Sequence, residues 1–234
     1  MAFRAVFFDA GETLVYPHPS FPELLGQILR QEGHRIDPAT IREKLHVVAD
    51  IFTTAASEGE LWSTSPERSR RFWDRVYRRL LDELGVPFGD GLARRIYSTF
   101  TDIANYRLFP DVIATLERLR AVDLRLGVVS NFEEWLERLL ESLGVSTYFE
   151  VRVISGVEGV EKPDTRIFHL ALERSGMVPE ESVYVGDSPS FDIAPAQAVG
   201  MFAVLLDRRG RYPEHPGPRV ASLEELPDAI GVAA

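Results

Sequence analysis

The chain opens with a short apolar run that is almost unbroken. Residues 3–8 are apolar except for Arg4, and β-branched or aromatic side chains recur among them. Such a run is typical of a strand that is buried on both faces of a parallel sheet. It ends at Asp9, and a turn containing Gly11 follows. The pattern therefore predicts a buried first strand with a carboxylate at its carboxyl end.

Residues 21–105 have a helical pattern, with apolar residues recurring at three- and four-residue spacing. Asp-Pro at 37–38 and Ser-Pro at 65–66 predict helix starts, because the polar side chain caps the helix and proline suits its first turn. The last helix is predicted at 89–105. We therefore expect a four-helix module, entered through a proline-rich linker at 16–19.

After this segment, strands and helices alternate along the chain. The predicted strands are 124–129, 151–154, 182–185 and 202–206, and the predicted helices are 111–120, 133–143, 164–175, 193–199 and 223–230. This alternation indicates βαβ units around a parallel sheet, which the first strand must join. The fold class is thus α/β, with a core domain at 1–16 and 106–234 and a helical domain inserted at 17–105.

Composition excludes several classes of function. The 234 residues carry a net charge of −10, which disfavours non-specific binding to nucleic acid. Cysteine is absent, so disulfides and thiolate chemistry are excluded. Apolar runs are too short for a membrane span, and the first residues lead directly into a strand rather than a targeting signal. We expect a cytoplasmic protein, either monomer or homodimer, that binds neither nucleic acid nor membrane.

Polar groups follow the predicted strands where the strands end. They are Asp9, Ser130 with Asn131, Lys162, and Asp187 with Asp192. Each alone has an ordinary interpretation as a cap, a surface side chain or a turn residue. Lys162 is one of only two lysines among 26 basic residues, so a compact ammonium is favoured at that position. Together these groups predict an ion-binding site at the carboxyl edge of the sheet.

Four stretches carry a resemblance to a known family: FFDAGETL, VVSN, EKPDTRIF and YVGDSPSFD. In order and spacing they resemble the haloacid dehalogenase (HAD) superfamily, in the branch with a helical cap after the first motif (C1, subfamily I). The resemblance implies a Rossmann-like parallel-sheet core flanked by helices, with an inserted α-helical bundle as cap. It also implies a Mg²⁺-dependent phosphatase that acts on a small phosphorylated metabolite through an aspartyl-phosphate.

The resemblance assigns a role to each candidate residue. Asp9 would be the nucleophile, and the phosphoryl group would be bound by Ser130, Asn131 and Lys162. Mg²⁺ would be held by Asp9, Asp187 and the backbone carbonyl of Gly11. Asp192 would support the metal without binding it directly. These roles agree with the chemistry, because a carboxylate attacking a phosphate dianion needs cations to offset like-charge repulsion.

Gly11 departs from the family pattern, since phosphatases of the family carry an acid–base aspartate there. Such a group is typically worth about 10²–10⁴-fold in rate. Glu12, His18 or a cap residue could replace it, although Glu12 is expected to face solvent. Two alternatives stay open: a metal-independent 2-haloacid dehalogenase, which also lacks this aspartate, and a catalytically weak protein that binds phosphate or a partner. Dehalogenases typically have Ser-Asn where this chain has Gly186-Asp187, so Asp187 favours the phosphatase.

Overall fold

The structure is a computed structural model that describes residues 3–232. The chain forms two compact units. The first, here the sheet unit, contains the described residues up to Val15 and those from Leu108 onward; the second, here the helical unit, is Tyr16–Arg107. Among the described residues, no helix combines the length and apolar composition that crossing a bilayer requires.

The sheet unit is built on six parallel strands. The strands of the described chain are β1 (Ala5–Phe8), β2 (Val15–Pro17), β3 (Tyr106–Leu108), β4 (Arg125–Ser130), β5 (Val151–Ile154), β6 (Ser182–Gly186), β7 (Phe202–Leu206) and β8 (Arg219–Val220). The sheet order is β5-β4-β1-β6-β7-β8. Every residue of β1 is buried, and β1 pairs in parallel with β4 and β6. The predicted α/β class with a buried first strand is confirmed.

Helices connect these strands and form the helical unit. The α-helices of the described chain are α1 (Phe21–Gln31), α2 (Pro38–Glu43), α3 (His46–Ser57), α4 (Pro66–Glu83), α5 (Asp90–Phe100), α6 (Val112–Ala121), α7 (Leu136–Ser142), α8 (Ser155–Glu158), α9 (Arg166–Ser175), α10 (Ala194–Val199) and α11 (Leu226–Ala229). The predicted starts at Pro38 and Pro66 are confirmed, and the side chains of Asp37 and Ser65 cap these two helices.

The helical unit has five α-helices rather than the four expected. Helix α2 ends after six residues and α3 begins at His46, although no glycine or proline between them marks the break. The helix predicted at 89–105 ends at Phe100, because the side chain of Asp102 caps a separate 3₁₀ turn by accepting a hydrogen bond from the Ala104 N–H. The helical unit therefore contains more and shorter helices than the spacing of its apolar residues predicts.

The predicted linker at 16–19 is partly a strand, because β2 pairs with β3 in a two-stranded sheet. Strands of three residues are too short to show an alternating pattern, so neither was predicted. The helix predicted at 133–143 begins only at Leu136, and residues 134–135 before it form a turn.

Gly127 on β4 is a position where the core admits no side chain. It lies opposite Phe7 of β1, and a Cβ there would stand 2.6 Å from Phe7 Cδ1. We predict that Gly127→Ala lowers the free energy of unfolding by about 1–3 kcal/mol through overpacking, as measured by urea denaturation. Gly91→Ala on α5 is the control, because no heavy atom lies within 4 Å of its added methyl group. Equal stability of the two variants would contradict this account of the core.

Candidate active site

Three neighbouring strands bring predicted site residues to one edge of the sheet. Asp9 follows β1, Ser130 is the last residue of β4, and Asp187 follows β6. Since β1 lies between β4 and β6, these carboxyl ends are adjacent, which is where open α/β sheets bind ligands. Lys162 reaches the same point from the segment before α9, where its Nζ lies 2.7 Å from Oδ1 of Asp9.

The ammonium of Lys162 is the centre of a buried polar cluster. Besides Asp9, its Nζ lies 2.6 Å from Oδ1 of Asp192 and 3.0 Å from the hydroxyl oxygen of Tyr184. The lysine side chain is 3% exposed, so its three N–H donors meet three oxygen acceptors away from solvent. Burial opposes the charged form, but Asp192 and Asp9 outweigh it and raise the pKa of Lys162 above its ordinary value.

Asp9 is a desolvated carboxylate held in one orientation. Ser130 Oγ donates to Oδ1 of Asp9 at 3.0 Å, and Lys162 contacts the same oxygen. Burial raises the pKa of the Asp9 carboxyl; Lys162 opposes this rise, and the nearby Asp192 adds to it. A poorly solvated carboxylate with a fixed position is suited to nucleophilic attack.

Asp192 is held by the turn that follows β6. Its Oδ2 accepts the backbone N–H of Ser188 at 2.9 Å, and its Oδ1 accepts the ammonium of Lys162. A Cβ at Gly186 would stand 2.3 Å from Asp192 Cγ, so only glycine allows this close approach. Asp192 is thus a second carboxylate paired with Lys162, and its predicted role in supporting a metal stays a prediction.

Asn131 positions Lys162 through its side-chain amide. Its Nδ2 donates to the Lys162 carbonyl at 2.8 Å, and its Oδ1 accepts the Lys162 backbone N–H at 2.6 Å. This two-point contact fixes the backbone of the lysine at the site. The structure therefore gives Asn131 a positioning role, and direct binding of substrate by Asn131 stays a prediction.

Tyr184 is a site residue that the sequence analysis missed. Its hydroxyl oxygen lies 3.0 Å from Asp192 Oδ1 and 2.9 Å from the Val129 carbonyl oxygen. Burial, with Asp192 and Asp9 adding to it, raises the pKa of this phenol well above its ordinary value, so the hydroxyl stays protonated. The available signal was a phenol hydroxyl in the middle of β6, between Val183 and Val185.

Asp187 completes a cluster of acidic groups that could hold a metal ion. Carboxylate oxygens of Asp9, Asp187 and Asp192 lie within 4.8 Å of one another. Burial raises the pKa of Asp187 to about 7, with Asp192 and Asp9 adding to the rise. Arg211 acts against it, since its Nη2 lies 2.9 Å from Oδ2 of Asp187. Hard oxygen donors that repel one another at this distance fit a divalent cation such as Mg²⁺.

The turn after Asp9 contains the position of the missing acid. A Cβ at Gly11 would have Phe132 Cε2 as its nearest neighbour, at 3.9 Å, so a Cβ fits there without a clash. Glu12 has a positive φ of 58°, which an L residue rarely adopts. Its carboxylate pairs with Arg209 at 2.5 Å rather than facing solvent alone. The Glu12 side chain is 34% exposed, so this ion pair is compatible with the expected solvent-facing position.

Arg209 and Arg211, which pair with Glu12 and Asp187, lie on the loop after β7. Contacts of the neighbouring Arg208 and Asp207 anchor this loop. Arg208 donates to both oxygens of Asp111, at 2.6 and 2.9 Å, and to the carbonyl of Thr13. Asp207 accepts the backbone N–H groups of Arg211 and Tyr212. The sequence analysis assigned no helix or strand between residues 206 and 223, because the folding of this segment depends on long-range contacts.

The family of the chain follows from this site together with a direct comparison. The site is that of a carboxylate-centred hydrolase on a parallel sheet. It consists of a buried aspartate at the end of the first strand, a lysine beside it and an acidic pair after β6. Residues 3–200 match the family described as haloacid dehalogenase-like hydrolase. The chain therefore belongs to the haloacid dehalogenase-like hydrolase family.

Known relatives include phosphatases and dehalogenases. Glyceraldehyde 3-phosphate phosphatase of Methanopyrus kandleri is 34% identical, over 89% of this chain and 85% of the relative. YfnB of Bacillus subtilis, solved with bound magnesium, has a TM-score of 0.78 at 19% identity, over 99% of this chain and 100% of that chain. The L-2-haloacid dehalogenase RSc1362 has a TM-score of 0.74 at 22% identity, over 98% and 99%. These two structural likenesses concern the fold alone.

The contacts of Lys162 lead to a stability prediction. Lys162→Ala should lower the free energy of unfolding by about 3 kcal/mol at neutral pH, because two buried carboxylates would lose their counter-charge. Lys162→Arg should cost nearly as much, since a planar guanidinium cannot meet acceptors that surround a compact ammonium. Urea denaturation measures both changes.

The second lysine of the chain provides the control for this prediction. Lys44 is 37% exposed and lies 3.7 Å from Glu83, so Lys44→Arg should change stability by no more than about 0.5 kcal/mol. Wild-type stability in Lys162→Arg would show that the site accepts a guanidinium, against this account.

Proposed function

We propose that the protein is a Mg²⁺-dependent phosphatase that forms an aspartyl-phosphate on Asp9. The observation that carries the proposal is the Asp9 carboxylate, with Lys162 at 2.7 Å and Ser130 at 3.0 Å, next to a second carboxylate that fits a metal. The similarity to a glyceraldehyde 3-phosphate phosphatase supports the same reaction class.

The residues divide the chemistry into two displacements. First, a carboxylate oxygen of Asp9 bonds to phosphorus while the bond from phosphorus to the leaving oxygen breaks. Water then attacks the phosphorus of the aspartyl-phosphate, which releases inorganic phosphate and restores Asp9. Lys162 and the hydroxyl of Ser130 bind the phosphoryl oxygens and offset their charge in both steps.

The Mg²⁺ would be held by Asp9, Asp187 and the backbone carbonyl of Gly11. Asp192 would support these ligands without binding the ion itself. When bound, the ion supplies positive charge that offsets the repulsion between Asp9 and the phosphate dianion. The acidic cluster and the raised pKa of Asp187 support this assignment, because a divalent cation relieves the repulsion that causes the shift.

The proposal includes the helical unit as the cap that selects a small phosphorylated metabolite. It also includes a cytoplasmic monomer or homodimer that binds neither nucleic acid nor membrane. Gly11 cannot protonate the leaving group, so we expect a phosphatase that prefers substrates with acidic leaving groups.

A parallel assay of phosphate and halide release, with and without Mg²⁺, tests this function. Mg²⁺-dependent phosphate release supports the proposal. Metal-independent halide release from 2-haloacids would instead establish the dehalogenase alternative. The observation that favours this alternative is the absence of an acidic side chain at Gly11. Neither activity, with phosphate still bound, would indicate a binding protein.

Metal binding gives the first prediction of this proposal. Saturating Mg²⁺ should stabilise the wild type by about 2.7 kcal/mol at a hundred times its Kd, measured by thermal unfolding at a pH well above 7. Asp187→Asn should remove the effect. Arg211→Gln should tighten Mg²⁺ binding several-fold in calorimetry, because the guanidinium competes with the ion for Asp187.

Arg209→Gln is the matched control, because this arginine of the same loop pairs with Glu12 instead. It should change Mg²⁺ affinity less than Arg211→Gln does. Weaker Mg²⁺ binding in Arg211→Gln would contradict the prediction, since Arg211 would then hold Asp187 in place for the metal.

Gly11 gives the second prediction. In the wild type, the rate of the first step should fall steeply as the pKa of the leaving group rises, measured over a series of phosphate esters. Gly11→Asp should flatten this dependence and speed hydrolysis of alkyl phosphates by at least about tenfold, since the added carboxyl can protonate the leaving group and its Cβ fits without a clash.

Gly11→Asn is the control for size, because it adds an amide that cannot donate an acidic proton. It should leave the steep dependence unchanged. A flat dependence in the wild type would mean that another group, such as Glu12 or His18, already serves as the acid.

A further inference from the structure

The position of the missing acid is bordered by an aromatic ring. Phe132 Cε2 is the nearest atom, at 3.9 Å, to where a Cβ of Gly11 would stand. Phe132 follows Ser130 by two residues, and Ser130 contacts the Asp9 carboxylate. The ring therefore stands beside the turn that follows Asp9, next to the point where a side chain at residue 11 would begin.

The backbone of Phe132 is held in place from both sides. Its N–H donates to Ser155 Oγ at 2.9 Å, and its carbonyl accepts the Gly156 N–H at 2.9 Å. A Cβ at Gly156 would stand 2.9 Å from that carbonyl oxygen, so the close approach requires glycine. The preceding residue, Asn131, is bound to the backbone of Lys162.

The ring of Phe132 is also supported by a second ring. Trp135 packs edge-to-face against it, with ring centroids 4.6 Å apart. Phe132 and Trp135 are both only partly buried. A partly exposed aromatic side chain with a fixed backbone and a fixed neighbour is preorganised to bind a flat group.

Two independent features thus favour the same kind of leaving group. Gly11 supplies no proton, so the leaving oxygen must depart as a stable anion. Phe132 offers an apolar, aromatic surface beside that position. We propose that Phe132 is a specificity-determining residue that contacts the leaving group, and that aryl phosphates are the preferred substrates. An aryl group satisfies both features, because a phenolate leaves without protonation and its ring packs against Phe132.

This inference rests on the proposed phosphatase function, so its test measures binding apart from turnover. Phenylphosphonate and methylphosphonate carry a P–C bond in place of the scissile P–O bond, and they differ only in the group directed at Phe132. In the presence of Mg²⁺, calorimetry should show phenylphosphonate binding to the wild type at least about fivefold more tightly. Phe132→Leu, which keeps an apolar side chain, should reduce this ratio to near one.

The ratio of two ligands within one variant cancels a general loss of affinity. Tyr148→Leu removes a partly exposed ring elsewhere on the sheet unit, one that contacts Glu117 and Arg120, and should leave the ratio unchanged. Phe132→Met is a second variant in case the first does not fold, and it should lower the ratio as Phe132→Leu does.

The outcomes separate the two proposals. Equal affinity of the wild type for both phosphonates, or an unchanged ratio in Phe132→Leu, would overturn the role of Phe132 and leave the phosphatase proposal standing. Binding of neither phosphonate, and of no inorganic phosphate, would overturn both.

Discussion

The candidate site depends on one buried ammonium. Lys162 is the cation that lies between Asp9 and Asp192, two carboxylates that would otherwise repel each other out of contact with solvent. Two neighbouring features hold this group in place: the amide of Asn131 fixes its backbone, and Gly186 leaves space for Asp192. This position holds a lysine in a chain that uses arginine for nearly every other positive charge, which favours a requirement for a compact ammonium.

The positive charges of the site differ in how easily they can exchange partners. Lys162 is 3% exposed and bound on three sides, so it is a permanent part of the site. Arg211 is 47% exposed and pairs with Asp187 alone among the acidic cluster. Displacing an exposed guanidinium requires little free energy. Displacing the buried lysine would leave two buried carboxylates without a counter-charge. Under the proposed function, a metal would therefore displace Arg211 from Asp187 and would leave Lys162 paired with Asp9.

Much of this arrangement could be predicted because its signals are local. The apolar run before Asp9, and the polar residues after later strands, give both the sheet and the edge where the site forms. The partners of Tyr184 and Arg211 could not be predicted, since these contacts depend on how the strands of the sheet lie side by side and how the loop after β7 folds back. The break between α2 and α3 carries no glycine or proline signal, so it too was missed.

The central claim is that Asp9 becomes covalently phosphorylated during turnover, and trapping that species tests it most directly. The protein should be mixed with Mg²⁺ and an aryl phosphate, quenched in acid within the first turnover, and digested for mass spectrometry. The account predicts a phosphoryl group on the peptide that contains Asp9, accumulating because water attack is unassisted at Gly11, and absent in Asp9→Asn. Rapid release of phosphate with no covalent phosphate on Asp9 at any time would contradict it.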